Sequence, residues 1–306
     1  MLKRPNKLVD LFSTKIFLIL FLFIISCTST KIEFSEWELV ADGQLFPEGI
    51  TWDNNGSLYS SNCHGDWITK ISGEIVDTFL LATDSTFSKT NGMIALKDGS
   101  LIACDYGNGT IIKITKEGKV EKIITGYLEI PFNRPNDLTI DKKGNIYFTD
   151  PKSYSSDKLD GRVFYYNSEL KNVMLVQDSL AFPNGIGISP VDGKLYVCES
   201  AKNRILSFNI GSDGTISHKN VFIELPGGDP DGFNFDVNGN MYVAHFGSGT
   251  LFIINPNGKI LNKIKTPGKK PSNVEFAGMD RKTLYLTEDE TNSIYKMKVN
   301  ISGHSF

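Results

Sequence analysis

Ten or eleven residues before each of Leu58, Leu101, Ile146, Leu195, Met241 and Leu284 stands an acid or an amide: Glu48, Asn91, Asn136, Asn184, Asp231 and Asn273. The hydrophobic anchors each open a short apolar stretch, and they follow one another at intervals of 43 to 49 residues. A period of that size marks a propeller or solenoid array. Copies placed around one axis would turn the six polar positions into a ring of two carboxylates and four amides. Two formal negative charges among neutral oxygen donors suit a hard dication, calcium before magnesium, manganese or zinc. The wall of a plain water-filled channel would also tolerate Ser, Thr, Lys or Arg, and none stands at these six positions. The sequence has no EF-hand loop, and its four histidines lack zinc-site spacing.

The elements that must hold such a ring are strands. Apolar residues alternate in short runs punctuated by turns: Leu138-Thr139-Ile140, then Asp141-Lys142-Lys143-Gly144, then Ile146-Tyr147-Phe148. The same unit surrounds Asn54-Asn55-Gly56, Lys97-Asp98-Gly99, Asp192-Gly193 and Asn238-Gly239, and a copy without glycine surrounds Asp280-Arg281-Lys282. A loop and a third strand follow each pair, and a further hairpin gives a fourth. Four antiparallel strands per repeat make a propeller blade, so the spacing predicts an all-β, six-bladed β-propeller over residues 36–306. The sixth repeat runs out after three strands near Lys298. An open edge there would invite association, and Trp37-Glu38-Leu39-Val40 is the segment expected to supply the fourth strand.

The loops after the second and fourth strands of each blade would crown the face that carries the ring. The fourth residue after each anchor also arrives there: Asn62, Asp105, Asp150, Glu199, His245 and Glu288. These are expected to hold loop backbones by hydrogen bonds.

Residues 1–26 carry Lys3, Arg4, Lys7 and Lys15 ahead of an apolar run from Ile16 to Ile25, the layout of a secretory signal. Ile24-Ile25-Ser26-Cys27 resembles a bacterial lipobox, so Cys27 is the expected lipidation site and residues 27–35 a short tether. The domain is then exported and anchored by lipid to a bacterial membrane; Thr28, in place of an inner-membrane retention Asp, favours the outer membrane on its periplasmic side. Contact with the membrane is expected through the anchor alone. Beyond the leader, 28 Lys and Arg face 34 Asp and Glu, a formal charge of −6 that argues against a nucleic-acid partner. No protein partner is evident. Cys63, Cys104 and Cys198 remain, an odd count that leaves at least one free thiol. Cys104 and Cys198 share one place in their repeats and read as small buried hydrophobes.

Glu48-Gly49-Ile50-Thr51-Trp52-Asp53, Arg134-Pro135-Asn136-Asp137, Pro183-Asn184-Gly185 and Pro230-Asp231-Gly232 occur in this order. Together they resemble the signatures of the senescence marker protein (regucalcin) and gluconolactonase family, over nearly all of the chain beyond the leader. Ile50, where the family often has proline, and Met241-Tyr242, where tryptophan is common, depart from the pattern without touching a ligand. The resemblance implies a six-bladed calcium propeller that hydrolyses sugar lactones or related cyclic esters. It implies metal ligands at Glu48, Asn184 and Asp231, with Asn136 between metal and substrate. It further implies that Arg134 points at substrate oxygens and that Asp231 acts as base. Asn91, the second ring member, joins the substrate-binding set. Asp137 occupies a slot that is glycine in four other repeats, and is either a second candidate base or a brace. The sequence contains no G-x-S-x-G elbow for a serine hydrolase. A non-catalytic propeller that binds calcium and a small ligand stays open, as does a condensing propeller of the strictosidine synthase kind.

Overall fold

The computed structural model describes residue 1 and residues 31–83 and 86–305. The leader and Cys27 lie outside the described residues. Among these residues, strands form six sheets of four antiparallel strands each, and one 3-10 turn at Ser200–Lys202 is the helical element. The innermost strands are Pro47–Trp52, Thr90–Ala95, Leu138–Ile140, Pro183–Ile188, Asp229–Phe235 and Pro271–Ala277. Five of the six sheets follow chain order from the inside outwards. The sixth takes its outermost strand from the other end of the chain. Glu38–Ala41 pairs with the third strand of blade six, Glu38 opposite Lys296 and Leu39 opposite Tyr295, as the strand shortage predicts.

The compact unit starts at Ile32, four residues before the expected domain boundary. Ile32 is buried in the cluster that joins blades five and six, and Phe34 bridges to Val299. Residues 32–35 are therefore part of the fold and not a free tether.

The core is six packets, one between each pair of neighbouring sheets. Ile102 and Cys104 of blade two meet Phe148 and Phe164 of blade three, for example, and Tyr242 of blade five meets Phe276 of blade six. A sheet sandwiched on both faces needs apolar residues on both. The second strands, such as Leu101–Asp105 and Leu195–Glu199, are accordingly buried throughout. The outermost strands face solvent: Ile75–Leu81 is mostly exposed.

Candidate cation and substrate site

The ring residues are aimed by irregularities in the innermost strands. Pairing with the second strand slips between Pro47 and Ile50, Thr90 and Met93, Pro183 and Ile186, and Pro230 and Phe233. Each slip encloses one ring residue and the glycine after it. A bulge turns a side chain out of the regular alternation, here toward the axis. The glycines allow the next blade to come close: a Cβ on Gly49 would lie 2.2 Å from the Asn91 carbonyl oxygen, and one on Gly185 2.2 Å from that of Asp231.

Hydroxyl groups next to the blade-top acids tie neighbouring blades together at this level. Thr149 donates to the carbonyl of Asn184 at 2.8 Å, Thr287 to that of Glu48 at 3.0 Å and Ser200 to that of Pro230 at 2.6 Å. The first two occupy the register position that Cys104 and Cys198 fill in blades two and four. Both thiols are fully buried, and Cys63, Cys104 and Cys198 are all free.

The six residues at the ends of the second strands hold the loops that enter the ring. Asn62 accepts from the backbone N–H of Leu45 at 2.9 Å, Asp105 from Ser88 at 2.8 Å and Asp150 from Arg134 at 2.8 Å. Glu199 accepts from Ala181 at 2.9 Å and Glu288 from Lys270 at 2.6 Å. His245 contacts the Leu225 carbonyl through Nε2 at 2.8 Å and Ser248 Oγ through Nδ1 at 2.7 Å, which makes it a loop brace too.

Above the ring opens a cavity of about 720 Å³. Glu48, Asn91, Asn136, Asn184 and Asp231 line it together with Arg134. Asn273, the sixth ring member, lies instead against a smaller cavity at the other side of the ring, with Asp137 and Glu275. Asp137 is thus not brought to the same space as the other candidates. Its Oδ1 accepts from the Leu138 N–H at 2.9 Å and its Oδ2 from Ile186 at 3.2 Å, so it spans blades three and four. It packs against a glycine of the preceding blade: a Cβ on Gly92 would sit 2.2 Å from Asp137 Oδ1.

The floor gathers buried carboxyls whose like charges oppose one another's ionisation. Burial, then the charges of Asp289 and Asp137, hold the Glu48 carboxyl well above the usual carboxylate range. Burial and the charges of Glu48, Asp137 and Asp229 do the same to Asp231, with the Asn184 amide offsetting a part. Desolvation pushes Asp137 up to about 7. Asp289, not singled out in the sequence, is pushed up to about 9 by burial and by the charges of Asp231 and Glu288. Both its carboxylate oxygens and Asn136 Oδ1 are buried with no hydrogen-bond partner. Buried acceptors without donors are costly, and a dication supplies what they lack. Among the described residues no three acidic, histidine or cysteine side chains converge as a metal cluster. The donor set here fits a cation that accepts amide oxygens beside carboxylates, as calcium does.

Asp289 has a sequence signal that the ring pattern did not reveal. It directly follows the blade-top residue Glu288, as Cys63, Tyr106, Ser200 and Phe246 follow Asn62, Asp105, Glu199 and His245, and those four line the cavity.

Fold and floor together define a six-bladed propeller with an oxygen-donor ring at the base of an open cavity. The SMP-30/Gluconolactonase/LRE-like region matches residues 46–289, and the chain belongs to that family. A gluconolactonase of Zymomonas mobilis is 32% identical, over 82% of this chain and 78% of its own. The lactonase drp35 of Staphylococcus haemolyticus is 27% identical over 88% of each chain. The structure of a gluconolactonase from Xanthomonas campestris superposes with a TM-score of 0.76 at 25% identity, covering 86% of this chain and 89% of its own.

Proposed function

We propose that this protein is a lactone hydrolase that depends on a divalent cation, calcium. The observation that carries the reading is the buried oxygen-donor ring, with the unpartnered Asn136 Oδ1, at the floor of a cavity open to solvent. Relatives named for lactone hydrolysis support the reaction class. Glu48, Asn136, Asn184 and Asp231 would hold the cation, which when bound supplies Lewis-acid polarisation of the substrate carbonyl. Asn91 and Arg134 orient the lactone from blades two and three. Asp231 takes a proton from the attacking water. The water oxygen bonds to the carbonyl carbon, the ring C–O bond breaks, and the proton ends on the departing alkoxide, giving the open hydroxy acid. Asp137, held by two backbone N–H groups in the other cavity, serves as the brace of the ring.

Hydrolysis of a lactone panel by the purified protein, in chelator and with each of calcium, magnesium, manganese and zinc restored, tests the proposal. Turnover that disappears in chelator and returns with calcium is the expected result. Full turnover in chelator refutes the cation, and tight calcium binding without any turnover points to a binding propeller.

The leader supports a second element of the same reading: export and lipid attachment at Cys27, with the domain tethered at the outer membrane. Metabolic labelling with a radioactive fatty acid should mark the parent and not the Cys27→Ser variant.

A further inference from the structure

The wall of the cavity differs in kind from its floor. Six rings converge on it from five blades: Phe46 and His64 from blade one, Tyr106 from blade two, Tyr154 from blade three, Phe182 from blade four and Phe246 from blade five. They touch one another in pairs. Phe46 stacks on His64 with centroids 4.1 Å apart and stands 6.5 Å from Phe246, and Tyr154 meets Phe182 edge to face at 5.0 Å. Tyr154 donates its hydroxyl hydrogen bond to Asp229 across the rim, and the Arg134 guanidinium lies 5.6 Å over the Tyr106 ring. None of the six is fully buried, and Tyr154 is 58% exposed. Packing of the fold does not need them there, because the six core packets are complete without them.

Converging exposed aromatics around a concave site mark a surface that expects an apolar ligand. Size gives the same answer. A cavity of about 720 Å³ lies in the range that encloses a drug-sized ligand, whereas a monosaccharide lactone has roughly a dozen heavy atoms. The hydroxyls of such a sugar would also need partners when they leave water; Lys89, Asn133 and Asp229 offer some, and the six ring faces offer none.

We infer that the site takes lactones that carry a sizeable apolar substituent, aryl or alkyl, with the lactone ring on the polar floor and the substituent against the aromatic collar. The inference rests on the lactonase reading and names its substrate class.

The test uses the full chain with calcium and three six-membered lactones: δ-valerolactone, its 6-phenyl derivative and D-glucono-δ-lactone. The corresponding lactams, with and without the phenyl group, are titrated by calorimetry to read binding apart from turnover. The phenyl lactone should exceed each of the others in kcat/KM by at least tenfold. The phenyl lactam should bind at least tenfold tighter than its parent. In Phe46→Ala/Phe246→Ala, and in the milder Phe246→Ala alone, the phenyl preference should fall at least fivefold in the double variant and measurably in the single one. Equal affinity of the two lactams, or a preference untouched by both variants, overturns the collar, whether or not lactones turn over. Faster hydrolysis of the sugar lactone than of the phenyl lactone overturns the substrate class. Collar-dependent lactam binding with no lactone turned over would sink the lactonase reading and leave the collar standing.

Discussion

The Glu48 charge opposes ionisation of Asp231 on the cavity floor, and that repulsion sets the clearest expectations for single residues. Glu48→Gln and Asp231→Asn each remove a charge from the cation and a liability from the empty site. Calorimetry should show calcium affinity falling at least about tenfold in each, a loss of roughly 1.4 kcal/mol or more. In chelator both variants should melt at or above the parent, because the buried like charges are gone. Unchanged affinity in both would refute the ring as the cation site. Asp137 has the opposite signature. Asp137→Asn should keep calcium and lower the melting temperature, since an amide cannot accept from both Leu138 and Ile186. Turnover should change by less than about threefold; a loss near a hundredfold with calcium retained is the size expected of a general base and would return it to that role.

At the scale of elements, the blade-top residues are what makes the floor rigid. Glu199 is fully buried, takes the Ala181 N–H and is paired with Arg204 at 2.6 Å. Glu199→Ala would strand both partners, at a cost of about 3–5 kcal/mol for breaking a buried pair. The loop through Phe182 to Asn184 should loosen with it. Thermal melts should drop by roughly 10 °C, and the Michaelis constant for lactones should rise; a melt within a degree of the parent would show that the brace is unimportant. These braces were legible as a repeat position before the structure, and so were the closing strand and the blade count, because each depends on spacing along one chain. What the spacing did not carry was depth along the axis. Asn273 shares a repeat register with cavity residues yet lines the smaller cavity, and Asp137, in the glycine register one place on, lines it too. Asp289 acts on the floor carboxyls by its charge from a neighbouring register that holds Cys, Tyr, Pro, Ser and Phe in the other blades, so residue type gave no cue.

For the molecule as a whole, stability rests on six similar packets and one closure. Glu275, in the smaller cavity, is paired with Arg281 at 3.3 Å, yet burial pushes its carboxyl up to about 7. A carboxyl raised on folding favours the native state fully below its unfolded value and loses that contribution as pH rises toward 7. The shift corresponds to about 3 kcal/mol at most. In chelator, the melting temperature of Glu275→Gln minus that of the parent should therefore rise between pH 5 and pH 7.5; a flat difference would mean that Glu275 is ionised throughout. Removing residues 31–41 should leave the edge of blade six open and uncover Ile294, which packs with Ala41. The expected result is a loss of roughly 10 °C in melting temperature, from a few kcal/mol of lost pairing and packing, with self-association visible by light scattering. A monomer with the parent's melt would show that closure is dispensable.

That closure also orders events in time. Leu39 pairs with Tyr295, so the first must wait until the second, far later in the chain, has been made on the ribosome. Until residues 293–298 emerge, blade six has no third strand for Glu38–Ala41 to join, and the nascent chain is an unclosed arc with sticky ends at both rims. A ribosome stalled anywhere before that point holds a chain that cannot finish folding, however many blades it has already stacked. The clasp thus makes completeness of synthesis a condition of the native ring.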